Sequence, residues 1–157
     1  MKFFKKILWL LLVVFVVAQF FRPDKNEGDL ASLEPFLSET KPSENVAIIL
    51  KEACYDCHSS VTRYPWYSHI TPVNYWMDGH VKHGKGNLDF SKWRDYSIKR
   101  KDHKLEELIE MVEAKTMPLE SYTLMHGEAK LSDAQIKELV DWAQQVRFSY
   151  SLLPKPE

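Results

Sequence analysis

The chain has 157 residues, of which 21 are basic and 22 are acidic. Four basic residues lie in the first 22 positions, which contain no acidic residue, so the remainder carries 17 basic against 22 acidic residues. This mildly acidic remainder lacks the basic surface that nucleic-acid binding requires, and its length suits one small domain.

The first 21 residues predict a membrane signal. Lys2, Lys5 and Lys6 precede a continuous apolar run, Ile7 to Ala18, which is the pattern of a secretory signal or signal anchor. The run ends in bulky Gln19-Phe20-Phe21, where cleavage sites have small residues. We therefore expect residues 1–21 to be a retained, single-pass transmembrane anchor, with the rest of the chain on the outer, periplasmic side of the cytoplasmic membrane.

The rest of the chain divides into three parts. Residues 22–42 show no sustained period and contain several prolines, which predicts a flexible tether whose mid-part, Leu30 to Leu37, could form one short turn that packs on the domain. Residues 43–150 form the predicted domain. Residues 151–157 carry two prolines and are expected to be a loose tail.

The only two cysteines occur in the stretch Cys54-Tyr55-Asp56-Cys57-His58. This is the C-x-x-C-H pattern of c-type haem attachment. Two thiols at this spacing reach the two vinyl groups of one porphyrin, and the adjacent imidazole reaches the iron. The pattern predicts one covalent haem c, with Cys54 and Cys57 as thioether anchors and His58 as the proximal iron ligand.

Two other chemistries use a C-x-x-C pair. A zinc site needs further ligands, and His80 and His83 are spaced to supply them. A thioredoxin-like dithiol needs a βαβ pattern, which the sequence does not show. Both are weaker hypotheses than haem.

The domain is predicted to be all-α. Ser43 caps a first helix whose apolar positions, including both cysteines, recur on one face. A second helix is expected between Thr71-Pro72 and Gly84, a third from about Ile98 to Lys115, and a last one opening at Ser132 with a capping box.

Aromatic residues are dense after the motif. Tyr64, Trp66 and Trp76 are candidates for the wall of a haem pocket. Arg63 is a candidate partner for a haem propionate, because a guanidinium matches a carboxylate bidentately. An ordinary surface arginine and ordinary core aromatics are the alternatives.

These motifs resemble the small bacterial haem-binding domains that carry a single C-x-x-C-H. The matching stretches are residues 54–59, 62–68, 88–93, 117–122 and 126–131. The resemblance implies a small helical domain like that of c-type cytochromes, on the outer side of the cytoplasmic membrane.

The sixth iron position needs a thioether or an imidazole in a low-spin carrier. Met117 precedes Pro118 in a loop between the third and last helices, where compact monohaem cytochromes place a distal methionine. We predict Met117 as the distal ligand, with His80 or His126 as alternatives.

The predicted function is single-electron transfer by a membrane-tethered monohaem protein, whose partners are redox proteins in or on the membrane. On this hypothesis the protein is a carrier and not an enzyme. The alternative is a haem-based sensor or a peroxidase-like enzyme with an open or displaceable distal site.

Overall fold

The computed structural model of the chain describes residues 2–153. Within this range there is no β-strand, only an isolated antiparallel bridge between Glu27 and Val61, so the all-α prediction is confirmed. The α-helices of the described residues are α1 (Lys2–Ala18), α2 (Glu34–Thr40), α3 (Glu44–Ala53), α4 (Tyr55–His58), α5 (Val73–Asn87), α6 (Ile98–Glu113), α7 (Glu120–Thr123) and α8 (Asp133–Ser151). Short 3₁₀ helices span Leu30–Leu33, Trp66–His69, Phe90–Asp95 and Gly127–Ala129.

One aromatic and aliphatic core joins α2, α3, α4, α6 and α8 with the 3₁₀ helix Phe90–Asp95. Phe36, Phe90 and Trp93 are fully buried at its centre, and the ring of Phe36 lies 4.6 Å from that of Phe90 and 5.1 Å from that of Trp93. Helices α3, α6 and α8 supply most of the remaining apolar side chains: Val46, Ile49, Leu50, Leu105, Leu108, Ile109, Val112, Leu139, Val140, Trp142, Ala143 and Val146. Burial of a large apolar side chain stabilises the fold by about 1.5–3 kcal/mol.

The prediction of a flexible tether over residues 22–42 is wrong for much of that segment. It contains a 3₁₀ helix and α2, which bury Leu33 and Phe36 in the core. Pro35 lies in the first turn of α2, where a proline is tolerated because its missing N–H has no helical partner. A helix of seven residues is too short to show a repeated apolar period, and the domain therefore begins before residue 43.

The first part of this segment is a strap over the loop that follows α4; we use this name for residues 24–28. The side-chain amide of Asn26 donates to the Ser59 carbonyl and to Thr62 Oγ1, both at 2.8 Å. Its oxygen accepts from Lys85 Nζ at 2.7 Å, and its backbone N–H donates to Tyr64 Oη at 2.6 Å. The strap thus ties the loop after α4 to α5.

Helix α1 is exposed along its length, and its end touches the domain through Gln19. The Gln19 amide donates to the Thr71 carbonyl at 3.1 Å and accepts from the Thr71 N–H at 2.9 Å. Among residues 2–153, no helix combines the length and the apolar character needed to cross a membrane.

The predicted helix starts agree with the structure more closely than the predicted helix ends. Ser43 caps α3, and Ser132 caps α8 in a capping box with Gln135. Helix α5, however, continues past Gly84 to Asn87. Residues 154–157 of the predicted tail lie outside the described residues.

Candidate functional site

The C-x-x-C-H motif spans a break between two helices. Cys54 has non-helical backbone angles (φ −125°, ψ −43°) and separates α3 from α4, so the motif does not continue the first helix as predicted. The N–H groups of Cys57 and His58 donate to the Cys54 carbonyl at 3.2 and 3.0 Å. These bonds close the motif into a single compact turn.

Gly84 lets α5 approach this turn. A Cβ atom at position 84 would lie 2.5 Å from the Cys57 carbonyl oxygen and 3.2 Å from the Cys57 Cβ. No real Cβ makes such contacts, so a larger residue would push α5 away from the motif. The glycine that we expected to end the helix instead serves close packing inside it.

His58 is oriented by the carbonyl of Leu88, which lies 3.0 Å from its Nδ1. A carbonyl only accepts, so Nδ1 carries the hydrogen and Nε2 keeps its lone pair. Burial lowers the pKa of His58 despite this hydrogen bond, which favours the neutral ring. A neutral imidazole with Nδ1 tied to a carbonyl is the form that ligates metal.

Burial disfavours the thiolate form of both cysteines. Burial, followed by the effect of Cys57, raises the pKa of Cys54 to about 12. Burial, followed by Asp56, raises the pKa of Cys57 to about 11. Zinc binding and dithiol exchange need thiolates, and no cluster of three or more His, Cys, Asp or Glu side chains occurs among residues 2–153. The zinc and dithiol hypotheses therefore gain no support.

An apolar cleft of about 60 Å³ lies beside the motif. One wall is formed by Cys57 with residues of α5, and the other by the loop between α6 and α8. The lining residues are Asp56, Cys57, Thr62, Arg63, Tyr67, Trp76, Met77, His80, Val81, Leu119, Ser121, Tyr122, Met125 and His126. Arg63 and Trp76 therefore lie where a pocket was predicted, while Tyr64 and Trp66 are not among the lining residues.

Asp56, inside the motif, is a buried carboxylate with several donors. Tyr122 Oη donates to its Oδ2 at 2.5 Å. The backbone N–H of Arg63 donates to Oδ1 at 2.9 Å, and the Arg63 Nε lies 3.2 Å from both oxygens. Arg63 also pairs with Glu52, so two carboxylates already occupy the guanidinium that we expected to meet a propionate.

His126 is held in the opposite wall. Its Nε2 lies 2.6 Å from Tyr67 Oη, and its Nδ1 lies 3.1 Å from Glu128 Oε1. Its ring stacks on that of Tyr122 at 4.3 Å, with the planes 17° apart. Both nitrogens are engaged, so iron ligation by His126 would require it to leave Tyr67.

The other distal candidates differ in position. Met117 is half-buried and does not line the cleft. His80 does line it, and its Nδ1 lies 2.8 Å from the Trp76 carbonyl, which leaves Nε2 free. Met77 and Met125 also line the cleft. The structure thus gathers several potential ligands on one side without selecting among them.

Sequence reasoning missed Asp56, Tyr67 and Tyr122 as site residues. Asp56 was not assigned a role within the motif, and Tyr122 lies 66 positions away from it. No periodicity connects residues so far apart. The only available signal was that both fall in stretches that resemble the haem-binding domains.

Comparison with known proteins adds two findings. A family model described as a haem-binding domain matches residues 13–145. Over 116 residues, 69% of the chain, the sequence is 26% identical to cytochrome c peroxidase Ccp of Escherichia coli (strain K12). The chain spans about a quarter of that relative's length, since the match covers 24% of it. No solved structure matches the chain.

Proposed function

Because the chain belongs to the haem-binding domain family, we propose that it binds one haem covalently through Cys54 and Cys57 and passes single electrons between redox partners. Family membership supports haem as the cofactor. Covalent attachment rests on the C-x-x-C-H turn, whose Cys57 lines the apolar cleft, and on His58, whose Nδ1 is tied to the Leu88 carbonyl so that Nε2 keeps its lone pair. Cys54 and His58 themselves are not among the lining residues. Haem iron supplies one-electron redox chemistry.

The chain's own residues would hold and shield that group. Cys54 and Cys57 would fix its edge, and the Leu88 carbonyl, which orients the ring of His58, would strengthen its Nε2 as a donor. Trp76, Tyr67 and the aliphatic residues of the cleft would help to exclude water from the bound group, a factor that tunes haem potentials. The donor set therefore fits haem.

The volume of the cleft indicates that one wall must move. Small-molecule sites commonly occupy about 300–1,000 Å³, several times the 60 Å³ found here. The attachment side is packed into the core, whereas Leu124 and Met125 in the opposite loop are exposed. Met125, at the exposed end of this loop, is the part of the wall that can move outward with the smallest loss of buried surface.

A second function is favoured by the match to a cytochrome c peroxidase. In that case the protein would react with peroxide or sense a ligand at an open or displaceable sixth position. His126 beside Tyr67 offers a hydrogen-bonding group in the cleft. Carbon monoxide binding to the reduced protein distinguishes the two, because a closed six-coordinate haem resists it.

Membrane attachment through residues 1–21, with the domain on the periplasmic side, remains part of the proposal. It is supported by the basic head and apolar run of the sequence. Cell fractionation of the native protein checks it. An intact protein in the soluble fraction would contradict it.

Maturation of the protein in a host that attaches haem c tests the main proposal. The purified chain should carry the mass of one haem, and the double variant Cys54→Ala, Cys57→Ala should lose covalent haem. Ser59→Ala serves as a control next to the motif, since it leaves the thiols in place. A mature mass equal to that of the bare polypeptide would refute covalent attachment.

A further inference from the structure

The loop from 116 to 127 holds three potential iron ligands, Met117, Met125 and His126. Half of its residues are exposed and none is buried; Leu124 and Met125 retain 77% and 59% of their surface. Apolar burial therefore does little to fix its position, and polar contacts hold it to the rest of the chain.

Those contacts converge on the motif and the residues that follow it. Tyr122 donates to Asp56 at 2.5 Å, and Arg63 Nη2 lies 3.3 Å from the Tyr122 hydroxyl. His126, stacked on Tyr122, meets Tyr67 at 2.6 Å. The first contact starts inside C-x-x-C-H itself, because Asp56 is the residue between Tyr55 and Cys57.

The Asp56–Tyr122 bond is well placed to act as a fixed tie. Asp56 is 6% exposed, and its carboxylate is held by the backbone N–H and Nε of Arg63. The Tyr122 hydroxyl donates to this carboxylate at 2.5 Å. Hydrogen bonds to charged acceptors are the stronger kind.

We propose that Asp56 and Tyr122 form a positioning pair that holds the 116–127 loop against the attachment motif and so keeps the sixth position of the iron closed. Asp56, one of the two residues between the cysteines, then determines how firmly the 116–127 loop is seated. This inference rests on the proposed haem function, and it assigns neither residue to the iron.

The test compares two tyrosine variants in the full-length, haem-loaded protein. Tyr122→Phe removes the hydroxyl and keeps the ring that stacks on His126. Tyr150→Phe is the matched control, because Tyr150 Oη donates to Glu39 at 2.6 Å and does not line the cleft. Carbon monoxide affinity of the reduced protein is measured for each, together with the oxidised absorption spectrum.

Tyr122→Phe should raise carbon monoxide affinity about tenfold or more, the size expected for loss of one hydrogen bond to a charged group. It should also increase the high-spin fraction, while Tyr150→Phe leaves both unchanged. Equal behaviour of the two variants would overturn the inference, because a merely structural role predicts no difference at the iron.

The pairing is checked by combining Tyr122→Phe with Asp56→Asn. If the residues act through one bond, Tyr122→Phe should raise carbon monoxide affinity less in the Asp56→Asn protein than in the wild type. Full additivity would show that Tyr122 acts through another partner and would overturn the pair.

A separate measurement keeps this inference distinct from the proposed function. Amide hydrogen exchange of the 116–127 loop in haem-free protein should be faster in Tyr122→Phe than in Tyr150→Phe. If no protein carries haem, the proposed function fails and this comparison alone decides whether the tie exists. Equal exchange in both variants would refute it.

Discussion

The side of the cleft that carries the C-x-x-C-H motif is packed into the core. The facing 116–127 loop is held by a few polar contacts. Tyr55 on α4 belongs to the main apolar cluster, and Cys54 packs against it. The opposite loop depends on Tyr122 and His126, each of which bonds to residues more than 55 positions away. Apolar burial costs several kcal/mol to undo, but a hydrogen bond contributes only about 1 kcal/mol net.

This difference indicates which side of the site is preorganised. The turn that presents the cysteines and His58 is shaped by the fold before any cofactor is bound. The 116–127 loop can rearrange at a small cost in free energy. Four predictions test this difference.

Phe36→Ala should have the largest effect, because Phe36 is fully buried among Phe90, Trp93 and Trp142. We expect the free energy of unfolding to fall by about 3–5 kcal/mol, as measured by denaturant titration of the full-length protein. Phe148→Ala is the control, since Phe148 is 66% exposed and should change stability by about 0.5 kcal/mol or less. If the two substitutions lower stability equally, Phe36 is not held in the core and the prediction of a flexible tether stands.

Gly84→Ala should come next, because its Cβ would collide with the Cys57 carbonyl. We expect a loss of about 1–3 kcal/mol in unfolding free energy and a lower yield of covalent haem. Gly79→Ala on the same helix meets no atom within 4 Å, so it should be neutral or stabilise by up to about 1 kcal/mol. If both variants gain stability, the close approach of α5 to the motif is not real.

Met117→Ala tests the predicted distal ligand with little effect on stability, because Met117 is only half-buried in the loop. It should abolish the weak long-wavelength band of a methionine–iron bond, lower the reduction potential and admit carbon monoxide. His80→Ala is the companion variant. If His80→Ala turns the haem high-spin while Met117→Ala leaves the spectrum unchanged, the ligand is His80.

The smallest expected effect is on the stability of the protein at acid pH, and it arises from Glu39 of α2. Burial alone would raise the pKa of Glu39, but hydrogen bonds from Lys101 and Tyr150 lower it overall. A carboxyl whose pKa is lower in the folded chain contributes stability above its ordinary value of 4.5, and this is lost as the pH falls through the folded value. Glu39→Gln should therefore flatten the loss of stability between about pH 5 and pH 3.

Thermal unfolding across that pH range measures the effect. Glu34→Gln, a change at an exposed residue of the same helix, should keep the acid dependence of the wild type. If Glu39→Gln keeps it as well, the ion pair with Lys101 does not contribute to holding α2 on the core.

Local features of this protein could be predicted from the sequence, because their causes lie within a few residues. The C-x-x-C-H spacing, the caps at Ser43 and Ser132, and the apolar faces of α6 and α8 all follow from short-range geometry. They were enough to predict an all-α domain and to single out Cys54, Cys57 and His58. The role of haem followed from the chemistry of these three side chains.

Only the tertiary structure decided the remaining features, because they depend on contacts between distant segments. Phe36 packs in the core although its segment has no visible apolar period. The missing side chain of Gly84 leaves room for the backbone of Cys57. Asp56 accepts a hydrogen bond from Tyr122, which lies 66 positions away in the sequence. Hydrogen bonds and close approaches of this kind leave no repeat in a single sequence. The sequence therefore determines the C-x-x-C-H motif, and the packing of distant segments determines how the cleft beside it is closed.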